Sequence, residues 1–538
     1  MKRVRPAETV ADAIADELAR CGVDRVFGVP GGEVLQLIEA LRSRGIDYAL
    51  CRHEAHAGIA AAVYGKLRRT AGVVLTTLGP GAANLMLPLA NSLLDREPLL
   101  AISAQVPDDW PPQRTHQRLP LLDAYAPVTK ASGSIDSGNC SALIRSAVAT
   151  TLAEPQGPVF LTLSADVART DLDGGGRRTG DEPVQAPLAR STADEAAAEL
   201  RRRLQAAERP VVVVGLGTRP QASDALRAWL EAWRLPVAVT PKAKGIVDET
   251  DGRFVGVVGG MAVDAVVREA LARSDLLVGF GLDPVEIDGA WHLELPVVWM
   301  LESAWATGAV PASDVVVTDL GEMLGALVGP APRTWTDPFD ELRRVRSTLL
   351  GRDRDLPGIS PLAIVRALAA AAPAETIVTT DVGSHKYVFG QFWPSRRPET
   401  FFMSNGLSGM GYAIPAAIGA KLARPDTPVL AIVGDGGFSM GSAELETARR
   451  LRSPFVTVVL ADGEYSLIRI AQERRGLERS GVDFGPIDSV LTARACGVEA
   501  ARIAGEAELT NRVASALASD EALLVEVPVD ADEYRGIV

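Results

Sequence analysis

The sequence predicts an α/β protein built from three doubly wound parallel-sheet domains. Three observations carry that expectation. Amphipathic helical stretches alternate with short apolar runs along the whole chain. The apolar runs are continuous rather than alternating, as in 72–78, 210–214, 276–278 and 429–433, which suits strands covered on both faces. Each of these runs leads into glycine, at Gly79, Gly215, Gly279 and Gly434. In such sheets ligands bind outside the carboxyl ends of the strands, where these glycines fall.

Length and composition narrow the function. At roughly 150 residues per domain, 538 residues allow three or four domains, each able to bury a core. Apolar residues at 47% and charged residues at 23% argue against disorder. The net charge is −13 and no basic run exceeds Arg201-Arg202-Arg203, which argues against nucleic-acid and membrane partners. No apolar stretch reaches the roughly 20 residues of a membrane helix. Lys2, Arg3 and Arg5 are followed over 8–20 by a charged amphipathic helix rather than the apolar core of a signal peptide. Cys21, Cys51, Cys140 and Cys496 lie far apart and read as reduced thiols, so a cytoplasmic enzyme is expected.

Two segments read as linkers: 171–187, with Asp173-Gly174-Gly175-Gly176-Arg177-Arg178, and 329–355, with Pro330, Pro332 and Pro338. They divide the chain into domains at 1–170, 188–328 and 356–538. The outer two repeat one pattern: small-residue helix, basic cluster, strand, glycine turn. Lys66 stands to Lys421 as Gly79 stands to Gly434, at an offset of about 355 residues. Val26 to Gly32 occupies the place of Val378 to Gly383, so the first and third domains read as a duplication. The middle domain reads as Rossmann-like. Its Gly215-Leu216-Gly217 turn lacks the full dinucleotide fingerprint, because the third glycine position falls at Pro220.

In the third domain, strand 429–433 ends in Gly434-Asp435-Gly436, a helix covers about 442–451, and strand 455–460 ends in Ala461-Asp462-Gly463. A right-handed crossover sets Asp435 and Asp462 on the same sheet edge, where two hard oxygens suit Mg²⁺ or Ca²⁺. Nearby backbone N–H groups suit a diphosphate. Taken singly, each Asp-Gly pair reads equally as a turn former. In the first domain, Arg52-His53-Glu54 places a carboxylate at the start of an Ala- and Gly-rich helix. Alone, it reads as an acid favoured by the helix N-terminus.

Gly434-Asp435-Gly436, followed after about 25 residues by Asp462-Gly463, resembles the thiamine-diphosphate motif of the acetolactate synthase and 2-oxo-acid decarboxylase family, which usually has Asn in place of Asp462. The resemblance covers nearly the whole chain. It makes the first domain pyrimidine-binding and the third diphosphate-binding, and implies thiamine diphosphate with Mg²⁺ held by Asp435, Asp462 and the main-chain carbonyl of Glu464. Glu54 then becomes the carboxylate that activates the aminopyrimidine. Gly383, Ser384 and His385 become the diphosphate turn, with Gly436, Gly437 and Tyr465 beside it. Pro30, Gly79 and Asn84 fall around the pyrimidine. Met410 becomes the wedge that bends the cofactor, and the carbonyl of Gly409 accepts from its 4'-amino group.

On the substrate side the family places active-site Gln and His residues where this chain has Gln105, His116 and Gln117, with Lys130 nearby. Thr115 precedes them. Arg469 reads either as a partner for a substrate carboxylate or as a solvated helix charge. The stretch from Gly281 to Asp288 lacks the Arg-Phe-Asp-Asp-Arg of flavin-bearing relatives, so FAD is not expected. The implied activity is a lyase or carboligase acting on a small 2-oxo acid, with 2-oxo-acid decarboxylase and carboxyethylarginine synthase also similar. The implied assembly is a dimer or tetramer with active sites between chains. Two rivals remain: a nicotinamide-dependent oxidoreductase using Gly215-Leu216-Gly217, and a catalytically idle partner subunit.

Overall fold

The structure is a computed structural model that describes residues 9–107, 110, 116–172, 191–286, 295–303, 314–327, 329–351 and 358–538. The basic residues Lys2, Arg3 and Arg5, the glycine-rich run 173–178, Thr115, Ile287 and Asp288 lie outside the described residues.

Among the described residues, eighteen strands form three parallel six-stranded sheets. The first comprises β1 Arg25–Val29, β2 Asp47–Leu50, β3 Gly72–Thr76, β4 Leu99–Gln105, β5 Ala131–Ser134 and β6 Val159–Ser164, in the order β2-β1-β3-β4-β6-β5. The second comprises β7 Pro210–Val214, β8 Val237–Val239, β9 Phe254–Val257, β10 Leu276–Phe280, β11 Val297–Leu301 and β12 Asp314–Val317, in the order β12-β11-β10-β7-β8-β9. The third comprises β13 Ile377–Thr380, β14 Phe401–Met403, β15 Val429–Gly434, β16 Val456–Ala461, β17 Glu499–Arg502 and β18 Leu523–Pro528, in the order β14-β13-β15-β16-β18-β17. The outer sheets share one strand order and the middle sheet has the Rossmann order, as a duplication around a different domain requires. The central strands β3, β7, β10 and β11 are buried along their whole length, which explains their unbroken apolar sequence.

Two local expectations change. The segment 329–355 is not simply a linker: it contains the helix Asp340–Leu350. Phe339 and Leu342 are buried in the core of the middle sheet, and Arg346 stacks over Phe254 while donating to the Val255 carbonyl. Its prolines stop before the helix, so they mark an entry rather than an extended run. The expected helix 442–451 is found as Glu444–Arg450, but a further short helix, Asp435–Gly441, precedes it and starts at Asp435 itself.

The chain divides into two compact units. One contains residues 1–184, 406–426 and 441–453; the other contains 185–405, 427–440 and 454–538. In the first, the helices Glu54–Arg68 and Ala413–Ala423 pack at backbone distance, because both are made largely of Ala and Gly. A Cβ on Gly419 would lie 2.2 Å from the Ala60 carbonyl oxygen. In the second, the buried pair Lys244 and Glu249, 2.5 Å apart, takes the Trp393 carbonyl and the Ser395 N–H, joining the second and third sheets' surroundings.

Gly419→Ala should therefore destabilise the protein by about 1–3 kcal/mol through overpacking. Chemical denaturation should show this loss, while Gly252→Ala, which meets nothing within 4 Å, leaves the midpoint unchanged.

Candidate active site

In the first unit, functional candidates gather at the carboxyl edge of β1 and β3. His53 has extended backbone and its Nδ1 accepts from the Ala55 N–H, so the helix starts at Glu54. Glu54 Oε2 accepts from Asn84 Nδ2 at 2.9 Å. A Cβ on Gly81 would lie 3.4 Å from Glu54 Oε1, so the turn between β3 and Asn84 passes beside the carboxylate. Gly79 opens that turn at φ +58° and would press a Cβ to 2.9 Å from Gln117 Cβ. Pro30 ends β1 on the exposed side, and the following Gly31 approaches the Thr77 hydroxyl of the same turn so closely that a Cβ would sit 2.2 Å away.

Gly409 and Met410 lie in a loop anchored at both ends. Its Gly406 N–H donates to Asp95 Oδ1 at 2.8 Å, and the Tyr412 hydroxyl donates to Glu97 Oε1 at 3.4 Å. Asp95 and Glu97 are fully buried. Gly409 faces the Leu87 side chain and Met410 is half-buried. Thus Glu54, Asn84, Gly79 and Gln117 are brought together around one turn.

Other substrate-side candidates are placed differently. His116 is exposed beside Gln117. Gln105, at the end of β4, spends its amide locally, donating to the Leu119 carbonyl and accepting from the Val106 N–H. Lys130 precedes β5 and so stands at the amino edge of the sheet, opposite the edge that carries Glu54. Its ammonium donates to the Thr150 and Ala153 carbonyls, and burial lowers its pKa to about 8.

In the second unit, three helices begin at the carboxyl edge of the adjacent strands β13, β15 and β16: Ser384–Phe392, Asp435–Gly441 and Ser466–Arg474. Ser384 and Ser466 share a hydrogen bond at 2.8 Å, which holds two of these N-termini together. Helix N-termini gathered in this way make the edge favourable for an anion. Asp435 accepts from the Gly436 and Gly463 N–H groups at 2.9 and 2.8 Å, and Asp462 accepts from the Glu464 N–H at 3.4 Å. Burial, then the charge of Asp435, pushes the Asp462 pKa up to about 7; burial also raises that of Asp435. Two neighbouring carboxylates whose pKa values are both raised are a fitting donor set for a divalent cation, whose charge would reverse the effect. Among the described residues no group of three or more His, Cys, Asp or Glu side chains could hold a metal ion.

Gly437 packs against Asp381, where a Cβ would lie 2.8 Å from Oδ1, and the Tyr465 ring leans on Phe484. Gly383 holds the extended positive-φ conformation, +153°, that glycine favours, with His385 pressed against it. His385 is buried and its Nε2 has no hydrogen-bond partner. The Glu464 carboxylate is committed to Arg469 and Arg479. Arg469 is neither solvated nor open to a substrate. It is 3% exposed, and its Nε, Nη1 and Nη2 go to Glu464, Glu473 and Asp532.

The Gly215-Leu216-Gly217 turn is closed by the chain itself. The Leu216 N–H donates to Glu286 Oε2 at 2.8 Å, and Glu286 also accepts from the Thr240 hydroxyl and the Lys242 N–H. A Cβ on Gly215 would lie 2.6 Å from the Gly281 carbonyl oxygen.

Three stretches match known family domains: residues 8–125 the thiamine pyrophosphate enzyme N-terminal TPP binding domain, 197–327 its central domain, and 381–527 its C-terminal TPP binding domain. The chain belongs to the thiamine pyrophosphate enzyme family. It is 30% identical to the acetolactate synthase of Bacillus subtilis, over 98% of this chain and 93% of the relative. It is 31% identical to the acetolactate synthase isozyme 2 large subunit of Escherichia coli, over 97% and 95%. The catabolic acetolactate synthase of Raoultella terrigena is 29% identical over 97% and 95%. In this thiamine pyrophosphate enzyme the orphaned His385 Nε2, the three helix N-termini and the Asp435–Asp462 pair suit a diphosphate and its cation. Among the described residues no helix is long and apolar enough to cross a membrane.

Several residues escaped the sequence reading. Asp95 and Glu97 stand beside an apolar strand, a pattern that marks buried polar anchors. Ser466 has no local signal, since its partner Ser384 is 82 residues away.

Burial lowers the His385 pKa from 6.5 to about 4. A group neutral in the fold and protonated when unfolded contributes stability that is full above its unfolded pKa and lost as pH falls toward the folded one. The melting temperature of the cofactor-free protein should therefore fall between pH 6.5 and 4, and that of His385→Gln should fall less over the same range.

Proposed function

We propose that this chain is an acetolactate synthase-like carboligase that acts on a small 2-oxo acid such as pyruvate, releasing carbon dioxide and joining the remaining fragment to a second carbonyl. The observation that carries the reading is the Glu54 carboxylate, at the first turn of its helix and hydrogen-bonded to Asn84, in a chain that aligns end to end with named acetolactate synthases. Thiamine diphosphate, when bound, supplies the carbanion chemistry. Glu54 holds a proton at the aminopyrimidine nitrogen, and Asn84 fixes the direction of its carboxyl. Met410, on its anchored loop, would pack against the bound cofactor, and Gly79 would let Gln117 approach its pyrimidine side.

We take the cation to be Mg²⁺, held by Asp435, Asp462 and the Glu464 carbonyl, with Gly383, Ser384, His385, Gly436, Gly437 and Tyr465 around the diphosphate. Asp462 adds a negative charge where the family has Asn, which raises the need for a divalent ion. FAD is not part of this reading, because Glu286 already takes the Leu216 and Lys242 N–H groups at the nucleotide edge of the middle sheet. The same closure disfavours a nicotinamide cofactor. The proposed assembly is a cytoplasmic homodimer or tetramer in which Glu54 of one chain serves a site completed by Asp435 of another.

A panel of 2-oxo acids, read by carbon dioxide release and mass spectrometry of the products, tests the activity. Pyruvate should give acetolactate; carbon dioxide without a ligated product would make the chain a decarboxylase instead. Glu54→Gln should lower turnover by about 10²–10⁴-fold while still binding thiamine diphosphate, and chelating the cation should abolish that binding reversibly. Mixing Glu54→Gln chains with Asp435→Ala chains should restore part of the activity as subunits exchange, because a hybrid dimer holds one intact site. Verified hybrids without recovery would place both halves in one chain.

A further inference from the structure

The short connection that delivers Glu54 is gripped by one helix. Glu444, the first residue of the helix Glu444–Arg450, is fully buried. Its Oε1 accepts from the Arg52 N–H at 2.9 Å and the His53 N–H at 3.1 Å, and lies 3.2 Å from His56 Nδ1. Two residues on, Glu446 pairs with the Arg52 guanidinium at 2.7 Å. Further along the same helix, Arg450 donates to the Leu50 carbonyl at 2.6 Å. Residues 50, 52, 53 and 56 are thus held, on both sides of Glu54.

A buried carboxylate is costly unless it is well satisfied, so its placement here demands a reason. Burial raises the Glu444 pKa, but His56, Thr447 and the Arg52 N–H outweigh it and keep the group ionised. One oxygen takes two consecutive main-chain N–H groups just before the helix, together with a side chain on its first turn. That arrangement fixes the helix start in translation and in rotation about its own axis. A rotation there would swing the Glu54 carboxyl away from Asn84.

We infer that Glu444 is a positioning residue for Glu54: by clamping Arg52, His53 and His56 it sets the direction in which the Glu54 carboxyl meets the aminopyrimidine. This rests on the proposed role of Glu54. A misplacement of about 1 Å can cost 10²-fold in rate, so the clamp should be visible in chemistry before it is visible in binding.

The test is the hydrogen–deuterium exchange rate at thiamine C2 in the holoenzyme, read by acid quench and NMR at saturating cofactor, beside cofactor affinity and turnover. Wild type, Glu54→Gln, Glu444→Gln, Glu444→Ala and His56→Gln are compared, with the Glu54→Gln/Glu444→Gln double variant. Glu444→Ala should slow exchange by at least about tenfold with cofactor affinity within about threefold of wild type. Glu444→Gln, which keeps an acceptor oxygen, should recover part of the loss. The double variant should be no slower than Glu54→Gln alone, because a residue acting only through Glu54 has nothing left to position. If Glu444→Ala does not fold, Glu444→Gln and His56→Gln carry the comparison, and wild-type exchange in both overturns the proposal. Additive losses in the double variant overturn it as well. Glu54→Gln exchanging as fast as wild type would overturn the role of Glu54 and this inference together, whereas slow Glu54→Gln with fast Glu444 variants removes the inference alone.

Discussion

The helix that starts at Glu54 is held at backbone contact on several sides, and the geometry of the pyrimidine half follows from that closeness. A Cβ on Gly72 would lie 1.8 Å from the Ala61 carbonyl oxygen and one on Gly419 2.2 Å from the Ala60 carbonyl oxygen, while one on Gly58 would meet the Pro88 ring at 2.6 Å. Side chains would act as spacers, and spacers can be compressed or rearranged; main chain against main chain cannot. The helix therefore has one depth against β3 and one against its neighbour. The alanine-rich composition that looks uninformative is what this requires.

At the diphosphate half the organising constraint is charge. Three helix N-termini supply partial positive charge at one sheet edge, and the Asp435 and Asp462 carboxylates supply negative charge beside them. Among the described residues His385 Nε2 has no hydrogen-bond partner, and burial with the charge of Asp435 pushes the Asp462 pKa up to about 7. An anion and a cation arriving together would satisfy both at once. By contrast, the equivalent edge of the middle sheet is already satisfied by the Glu286 carboxylate, so one strand-turn-helix grammar gives an open edge in one domain and a sealed one in another.

The sequence made the sheet edges legible because a parallel strand buried on both faces must be apolar and must end where the backbone turns sharply. Hence the glycines at 79, 215 and 434, and the carboxylates at 435 and 462, could be placed without coordinates, whereas Gly279 lies inside β10, which runs on to Phe280. What it could not reveal are pairings set by folding. Glu444 serves residues almost four hundred positions earlier in the chain, and nothing near it distinguishes its carboxylate from a surface acid. Arg469 looked like an exposed helix charge because its three carboxylate partners converge from Glu464, Glu473 and Asp532. Lys130 lies in the expected domain but at the wrong end of its strand, a distinction that depends on register. The prolines of 329–355 hid a helix whose apolar contacts, Phe339 and Leu342, are sparse in sequence.

The segmented make-up of the two compact units limits how the gene can be cut. The chain passes from one unit to the other at residues 184, 405, 426, 440 and 453, so neither is a continuous stretch of polypeptide. The crossover between Asp435 and Asp462 is itself divided: its strands belong to one unit and the helix bearing Glu444 to the other. A chimera that exchanged residues 1–184 with a relative would set foreign helices against Ala413–Ala423 and Glu444–Arg450. Recombination that respects the three sequence domains would still break these contacts, so the interleaved helices tie the evolution of the Glu54 region to that of a segment late in the chain.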